Sequence, residues 1–185
     1  MTKWREDKPT VPGHYLMRSM ETDDEVEPVV IYRHKKGFLM VDDPHLGPTI
    51  LDAYHDGLTN LEWKSRLRVV VAGSRDIVDK KLVFRLLDNS KFDIYQVVCG
   101  CAKGIDSLGR EWAIKNRIRV KEFPAEWEKY GKRAGMLRNK EMVDYADAVI
   151  CIWDGKSKGT LNTIEYTEKC NKPLEKHINA MERLW

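Results

Sequence analysis

The chain has 185 residues, 42% of them hydrophobic and 33% charged, with a formal net charge of +3. That is the make-up of an ordinary globular protein, long enough for one good-sized domain and a small appendage. No apolar run approaches the ~20 residues of a membrane span and no secretory h-region opens the chain, so no membrane and a cytoplasmic location are expected; a charge this small argues against nucleic acid as a partner.

Residues 1–64 read as a small β module. Trp4, Pro9, Pro12-Gly13 and Tyr15 give turn and strand signals. Short β-type runs follow at His14–Arg18, Pro28–Arg33 and Gly37–Val41. Asp42 to Asn60 is loop-rich, with Asp42-Asp43-Pro44 and Gly47-Pro48, and Leu61-Glu62-Trp63 closes the stretch. An antiparallel arrangement is expected. A module of about 60 residues is marginal alone, so packing on the larger domain or on another subunit is expected.

From residue 65 to 185 strand and helix patterns alternate. Leu67 to Ala72 is an apolar strand bounded by Gly73, and the next segment sets Leu82, Val83, Leu86 and Leu87 on one helical face. Ile94–Cys99 is a second strand, followed by a helix over Asp106–Asn116 with Leu108, Trp112 and Ala113 on its apolar side. Arg119–Phe123 is a third strand, ended by Pro124. The spacing then predicts a helix over Lys132–Tyr145, broken near Gly135. Ala148–Trp153 is a fourth strand, Thr160–Cys170 a helix, and Leu174–Ile178 a short fifth strand or tail. Continuous apolar strands separated by helices imply an α/β fold, a Rossmann-like doubly wound parallel sheet, preceded by the antiparallel module.

Four glycine-bearing loops carry the functional reading, because in such sheets ligands bind along the edge where strands hand over to helices. Gly73-Ser74-Arg75 offers N–H groups, a hydroxyl and a guanidinium suited to phosphate. Its bland alternative is a turn glycine with Arg75 paired to Asp76 or Asp79. Gly100-Cys101-Ala102-Lys103-Gly104-Ile105-Asp106 ends at a helix start, where Asp106 either caps free N–H groups or takes a ribose. Phe123 to Asn139 contains Glu126, Trp127, Lys129, Lys132, Arg133, Arg138 and Asn139. Trp127 is equally a base-stacking ring or a core anchor, whereas for Lys129, Lys132 and Arg133 a solvated face is the expected reading. Trp153 to Thr160, with Asp154, Gly155, Gly159 and Thr160, brings a helix N-terminus that suits an anion. Of the four cysteines, Cys99 and Cys151 read as core residues, while Cys101 and Cys170 complete the count. Cys99-Gly100-Cys101 has no partner pair at zinc spacing, so neither a metal nor a disulfide is expected.

Taken in order, Val71-Ala72-Gly73-Ser74-Arg75, Cys99 to Asp106, Phe123 to Trp127, Tyr130 to Asn139 and Trp153 to Thr160 resemble the YspA-like branch of the SLOG superfamily, over residues 66–173. That superfamily includes Lonely Guy phosphoribohydrolases, DprA and ADP-ribose-type sensor domains. The resemblance implies a nucleotide-binding domain whose ligand meets Gly73, Ser74, Arg75, Gly100, Cys101, Ala102, Gly104, Asp106, Trp127, Arg138, Asn139, Asp154, Gly155, Gly159 and Thr160. Arg138 matches the site arginine of the Lonely Guy enzymes. Their catalytic glutamate, three residues after the threonine, is Thr163 here. Glu165 is two positions further, about 200° around the helix at ~100° per residue. A glycosidic hydrolase needs a carboxylate, for which Asp106, Glu126 or Asp154 would have to substitute.

The expectation is therefore a sensor or sequestering protein for an ADP-ribose-like or cyclic-nucleotide signal, without a cofactor. The alternative is a nucleotide N-glycosidase using Asp106, Glu126 and Arg138. Homo-oligomerisation is implied by the family. Trp4, Pro12 to Tyr15, Glu27-Pro28-Val29, Gly47-Pro48 and Glu62-Trp63 make the N-terminal module similar to small β domains of phage-encoded proteins, which implies a host cytoplasm.

Overall fold

A computed structural model describes residues 9, 13–19, 27–33, 35, 39–43, 47–51 and 61–178. The chain divides into two compact units, Met1–Arg66 and Leu67–Trp185.

In the first unit, β1 (Gly13–Ser19), β2 (Glu27–Arg33), β3 (Leu39–Asp43) and β4 (Gly47–Ile50) form an antiparallel meander. The opening residues of β5 (Leu61–Gly73) pair with β1 on its other side. Alternate residues face one core: Tyr15 and Met17, Val29 and Ile31, Val41, with Leu51 beside them. Strand β4 lies inside the stretch expected to be loop. Its Gly47-Pro48 reads as a breaker, but proline is tolerated on an edge strand, and among the described residues β4 pairs only with β3. Leu61 to Trp63, expected to close the module, begins a 13-residue strand. The polar Lys64-Ser65-Arg66 hides that continuity in the sequence. Trp4, Pro12 and Gly37 lie outside the described residues.

The second unit is an all-parallel sheet. From Leu67 onward β5 pairs with β6 (Ile94–Cys99) on one side and β8 (Ala148–Trp153) on the other. β6 pairs with β7 (Arg119–Glu122), and β8 with β9 (Leu174–Ile178). The order β7-β6-β5-β8-β9 reverses direction between β5 and β8, the switch point of a doubly wound fold. Successive residues of each central strand serve opposite cores. Val69, Val71, Val97, Cys99, Ile150 and Ile152 pack with α1 (Lys80–Asp88) and α2 (Ile105–Lys115). Val70, Ala72, Val98, Val149 and Cys151 pack with α4 (Ala134–Tyr145) and α5 (Lys158–Lys169). Burial on both faces is why these strands read as unbroken apolar runs. It also pushes the Cys99 and Cys151 thiols up to about 12.

The break expected at Gly135 falls earlier. A short α3 (Trp127–Tyr130) ends at Gly131, and a 3-10 turn (Gly131–Arg133) leads into α4. Gly131 has φ +51°, a value glycine adopts without strain, whereas Gly135 is an ordinary helical residue under the Trp127 ring. The far end of α4 is held by Lys172, whose Nζ donates to the carbonyls of Val143, Asp144 and Ala146 at 2.7, 2.8 and 2.7 Å. These are carbonyls of a helix end that lack intrahelical partners.

The turn from α4 into β8 is pinned by Asp147. Its carboxylate accepts from Arg68 N, Nε and Nη2 at 2.9, 2.9 and 2.6 Å. The Arg68 guanidinium also lies 4.8 Å from the centre of the Tyr145 ring. Burial works to raise the Asp147 pKa, but the Arg68 hydrogen bonds override it and hold the group below its ordinary 3.8. A depressed folded pKa means stabilisation that is complete above the unfolded value and lost as pH falls through the folded one. Asp147→Asn should therefore cost about 1 kcal/mol at neutral pH, the scale of a partly exposed pair. The gap to wild type in denaturant unfolding should close progressively below pH 3.8; a gap constant down to strongly acid pH would contradict the assignment.

Candidate functional site

An open cleft of about 390 Å³, including its solvent-filled mouth, lies at the C-terminal ends of the switch-point strands. Ala72 and Gly73 end β5 and Arg75 follows them, Ala102 comes from the loop into α2 and Asp106 from its first turn, and Arg138 and Asn139 come from α4. Ser157, Gly159, Thr160 and Thr163 come from the start of α5.

Ala134, Arg138 and Met142 recur every four residues on the buried side of α4, so a cation occupies a core position. Arg138 is only 7% exposed. Its Nε donates to Asn139 Oδ1 at 2.9 Å and its Nη1 to the Phe123 carbonyl at 3.3 Å. Asp106, 4% exposed, faces the same place. Its Oδ2 accepts from Gly100 N at 3.2 Å, and the N–H groups of Ala102 and Gly73 also support it. Burial pushes the Asp106 pKa up, opposed by the charge of Arg138 and by these amides. Asp106 is thus no helix cap. It is a buried carboxyl that ties the second loop to the first and balances Arg138.

The glycines have different reasons. A β-carbon on Gly100 would sit 2.0 Å from Arg138 Nη1 and 2.7 Å from Asp106 Oδ2, so its bareness makes the guanidinium's slot. On Gly73 it would meet the Ile152 carbonyl at 2.1 Å, and on Gly104, at φ +75°, the Ser74 carbonyl at 2.6 Å. These positions are closed by the protein itself. Gly159 alone of the cleft glycines faces open space, with nothing within 4 Å. For Gly73, Gly100 and Gly104 packing within the protein is cause enough for the missing side chain, and of these Gly73 lines the cleft.

Arg75 is exposed at the cleft and pairs with no acid among the described residues. Neither Asp76 nor Asp79 takes it; Asp79 instead accepts from Leu82 N at 3.0 Å as the cap of α1. Opposite, α5 opens on Ser157, whose Oγ accepts from Thr160 N and from Thr160 Oγ1 at 3.4 and 3.0 Å. The N–H groups of Lys158 and Gly159, in the first helical turn, have no intrahelical acceptor. Thr163, at the position of the missing glutamate, is buried. Its hydroxyl donates to the Gly159 carbonyl at 3.1 Å and accepts from Asn139 Nδ2 at 2.9 Å. Glu165 is exposed and outside the cleft.

Other expected residues stand outside the lining. Ser74 is fully buried and braces two strand ends: its N–H donates to the Ile152 carbonyl and its Oγ accepts from Asp154 N at 3.1 Å. Asp154 accepts from the N–H groups of Ser157 and Lys156, which hold its pKa below the ordinary value and shape the loop that Gly155 turns at φ +79°. Cys101 and Glu126 are exposed and are not part of the lining, and Trp127 lies 52% exposed over Gly135. Ala72, Ser157 and Thr163 were not among the expected ligand contacts. Ser157 carries a readable signal, a serine three residues before Thr160 at a helix start.

A profile of the YspA, cpYpsA-related SLOG family matches residues 67–130. The Gene 61 protein of Mycobacterium phage D29 is 33% identical over 117 residues, covering 58% of this chain and 93% of that protein. Among solved structures, DNA processing protein A (DprA) of Streptococcus pneumoniae superposes with a TM-score of 0.51 at 15% identity, over 86% of this chain. The chain spans 62% of that protein. DprA of Helicobacter pylori, described for its single-stranded DNA binding mode, gives 0.45 at 16% identity, over 94% of this chain and 79% of that one. The expectation that nucleic acid is an unlikely partner is withdrawn, because the fold neighbour from Streptococcus pneumoniae is a DNA-processing protein. Charge alone was a poor guide, since a net +3 says nothing of where cations gather. No helix among the described residues is long and apolar enough to cross a membrane.

Gly100→Ala should force Arg138 and Asp106 out of register. Denaturant unfolding should show a loss of about 1–3 kcal/mol, the cost of overpacking a filled core. A variant as stable as wild type would mean that the slot is looser than the geometry implies.

Proposed function

Because the chain belongs to the YspA, cpYpsA-related SLOG family, we propose that the switch-point cleft binds the phosphate of a nucleotide-derived ligand, ADP-ribose-like or cyclic, and that the protein senses or sequesters it without cleaving it. The observation that carries this reading is the Arg75 guanidinium, unpaired among the described residues, at the cleft shared with the N-terminus of α5. A cation and free N–H groups around open space make an anion site. The open face of Gly159 lets a ligand approach the helix backbone.

The chemistry weighs against hydrolysis. Thr163 supplies a hydroxyl already engaged on both sides. Asp106 is the one carboxyl of the lining; it is buried and engaged by backbone amides. An oxocarbenium-like transition state needs a carboxylate at the sugar, and the cleft offers none that is free.

A second reading is a strand of single-stranded nucleic acid with one phosphate in the cleft. It is favoured by Trp127 and Tyr130, 52% and 39% exposed, beside Lys129, Lys132 and Arg133. Exposed rings among cations suit stacked bases, and the DprA fold neighbours act on DNA.

Thermal shift and calorimetry against ADP-ribose, NAD, nucleoside monophosphates and a short single-stranded oligonucleotide test both readings. Phosphorylated small ligands should stabilise the protein, with no base released on incubation. Arg75→Ala should weaken binding by roughly 10–100-fold, the worth of a charge-assisted hydrogen bond. Gly159→Ala should raise the stability of the free protein by up to ~1 kcal/mol through helix propensity while weakening the ligand. Binding of the oligonucleotide alone would favour the second reading; binding of neither would end both.

A further inference from the structure

We propose that Cys99, Cys101 and Glu122 form a site for a thiophilic divalent cation of the zinc type, with two thiolates and one carboxylate as its protein ligands. Among the described residues, one ligand atom from each of the three lies within 4.8 Å of the others. Two sulfurs and one oxygen select zinc or cadmium over magnesium or calcium.

Three features of the fold build the cluster. Strand β6 ends at Cys99 and β7 at Glu122, and the two residues are register partners across the parallel pair. Pairing thus sets a carboxylate beside a thiol although 23 positions separate them in the sequence. Cys101 holds φ +59°, a conformation uncommon for a residue with a β-carbon. Backbone outliers of this kind gather where a geometry is used, and here the outlier sets a second thiol within reach of the first. Arg110 on α2 bonds Glu122 Oε1 through its Nε. That is an outer partner of the sort that orients metal-binding carboxylates.

Cys99 is buried, and Cys101 and Glu122 are exposed, so the cluster has a closed base and an open mouth. Three protein ligands leave the fourth tetrahedral position for water or an outside ligand. Each coordinating thiol gives its proton to solvent, and Glu122 binds as the carboxylate. None of the three lines the nucleotide cleft, so the site stands independently of that reading. Gly100, between the two cysteines, donates its N–H to Asp106 and so joins the two sites structurally.

Titration of the reduced full chain with Cd²⁺, followed by thiolate-to-metal charge-transfer absorption, tests the proposal. One ion per chain should bind and Zn²⁺ should displace it. Cys101→Gly should abolish the band while leaving the free protein at least as stable, since glycine adopts positive φ without strain. Glu122→Gln should weaken binding by about tenfold or more, and Cys170→Ser should change nothing. Absence of a band in the wild type, a band retained in Cys101→Gly, or its loss in Cys170→Ser would overturn the site.

Discussion

Strand β5 is bonded on both edges, to β6 and to β8, and the chain leaves β5 and β8 for opposite faces of the sheet. That reversal is the constraint from which the candidate site follows. Where neighbouring strands send their chains to opposite faces, their C-terminal ends are left with a crevice between the departing loops. Gly73 ends β5 there, and the loop after Trp153 leaves β8 there. Ser74 closes the seam at the bottom through the Ile152 carbonyl and the Asp154 N–H. The crevice is therefore closed below and open above.

Into that crevice the fold brings one buried cation and one buried carboxyl. Removing either from water is costly, and leaving one without the other costs several kcal/mol. Arg138 is fixed by its helix, whose far end Lys172 holds through three carbonyls. Asp106 is fixed by amides of two loops. Gly100 is the space between them. The two therefore shape the floor of the cleft, the carboxyl held by the Gly100 amide and the guanidinium by Asn139 and the Phe123 carbonyl. What remains for a ligand is Arg75 and the first turn of α5, both cationic or partly so. The proposal of binding over bond cleavage rests on this: the groups left exposed suit an anion and include no free carboxylate.

The sheet was legible in the sequence because each central strand is buried on both faces and so is apolar throughout. β6 and β8 begin and end where the apolar runs do. Elements that break a local rule were not legible. β4 holds a proline that only an edge position allows, and β5 runs through three polar residues. The glycines could be seen, but not their causes, which are contacts across the sheet with Ile152, Arg138 and Ser74. Ser74 and Asp154 look like ligand groups in a motif and turn out to satisfy each other. Glu122 joins Cys99 and Cys101 only through strand register, which spacing along the chain cannot express.

The central claim is that an anion sits between Arg75 and the first turn of α5. A crystal structure of the protein grown with ADP-ribose locates the phosphorus atoms directly. The account predicts a phosphate within hydrogen-bond reach of the Arg75 guanidinium and of the Gly159 or Thr160 backbone, with Arg138 and Asp106 unmoved. A ligand seated elsewhere, for example on the Trp127 and Tyr130 rings with the cleft holding only water, would contradict it.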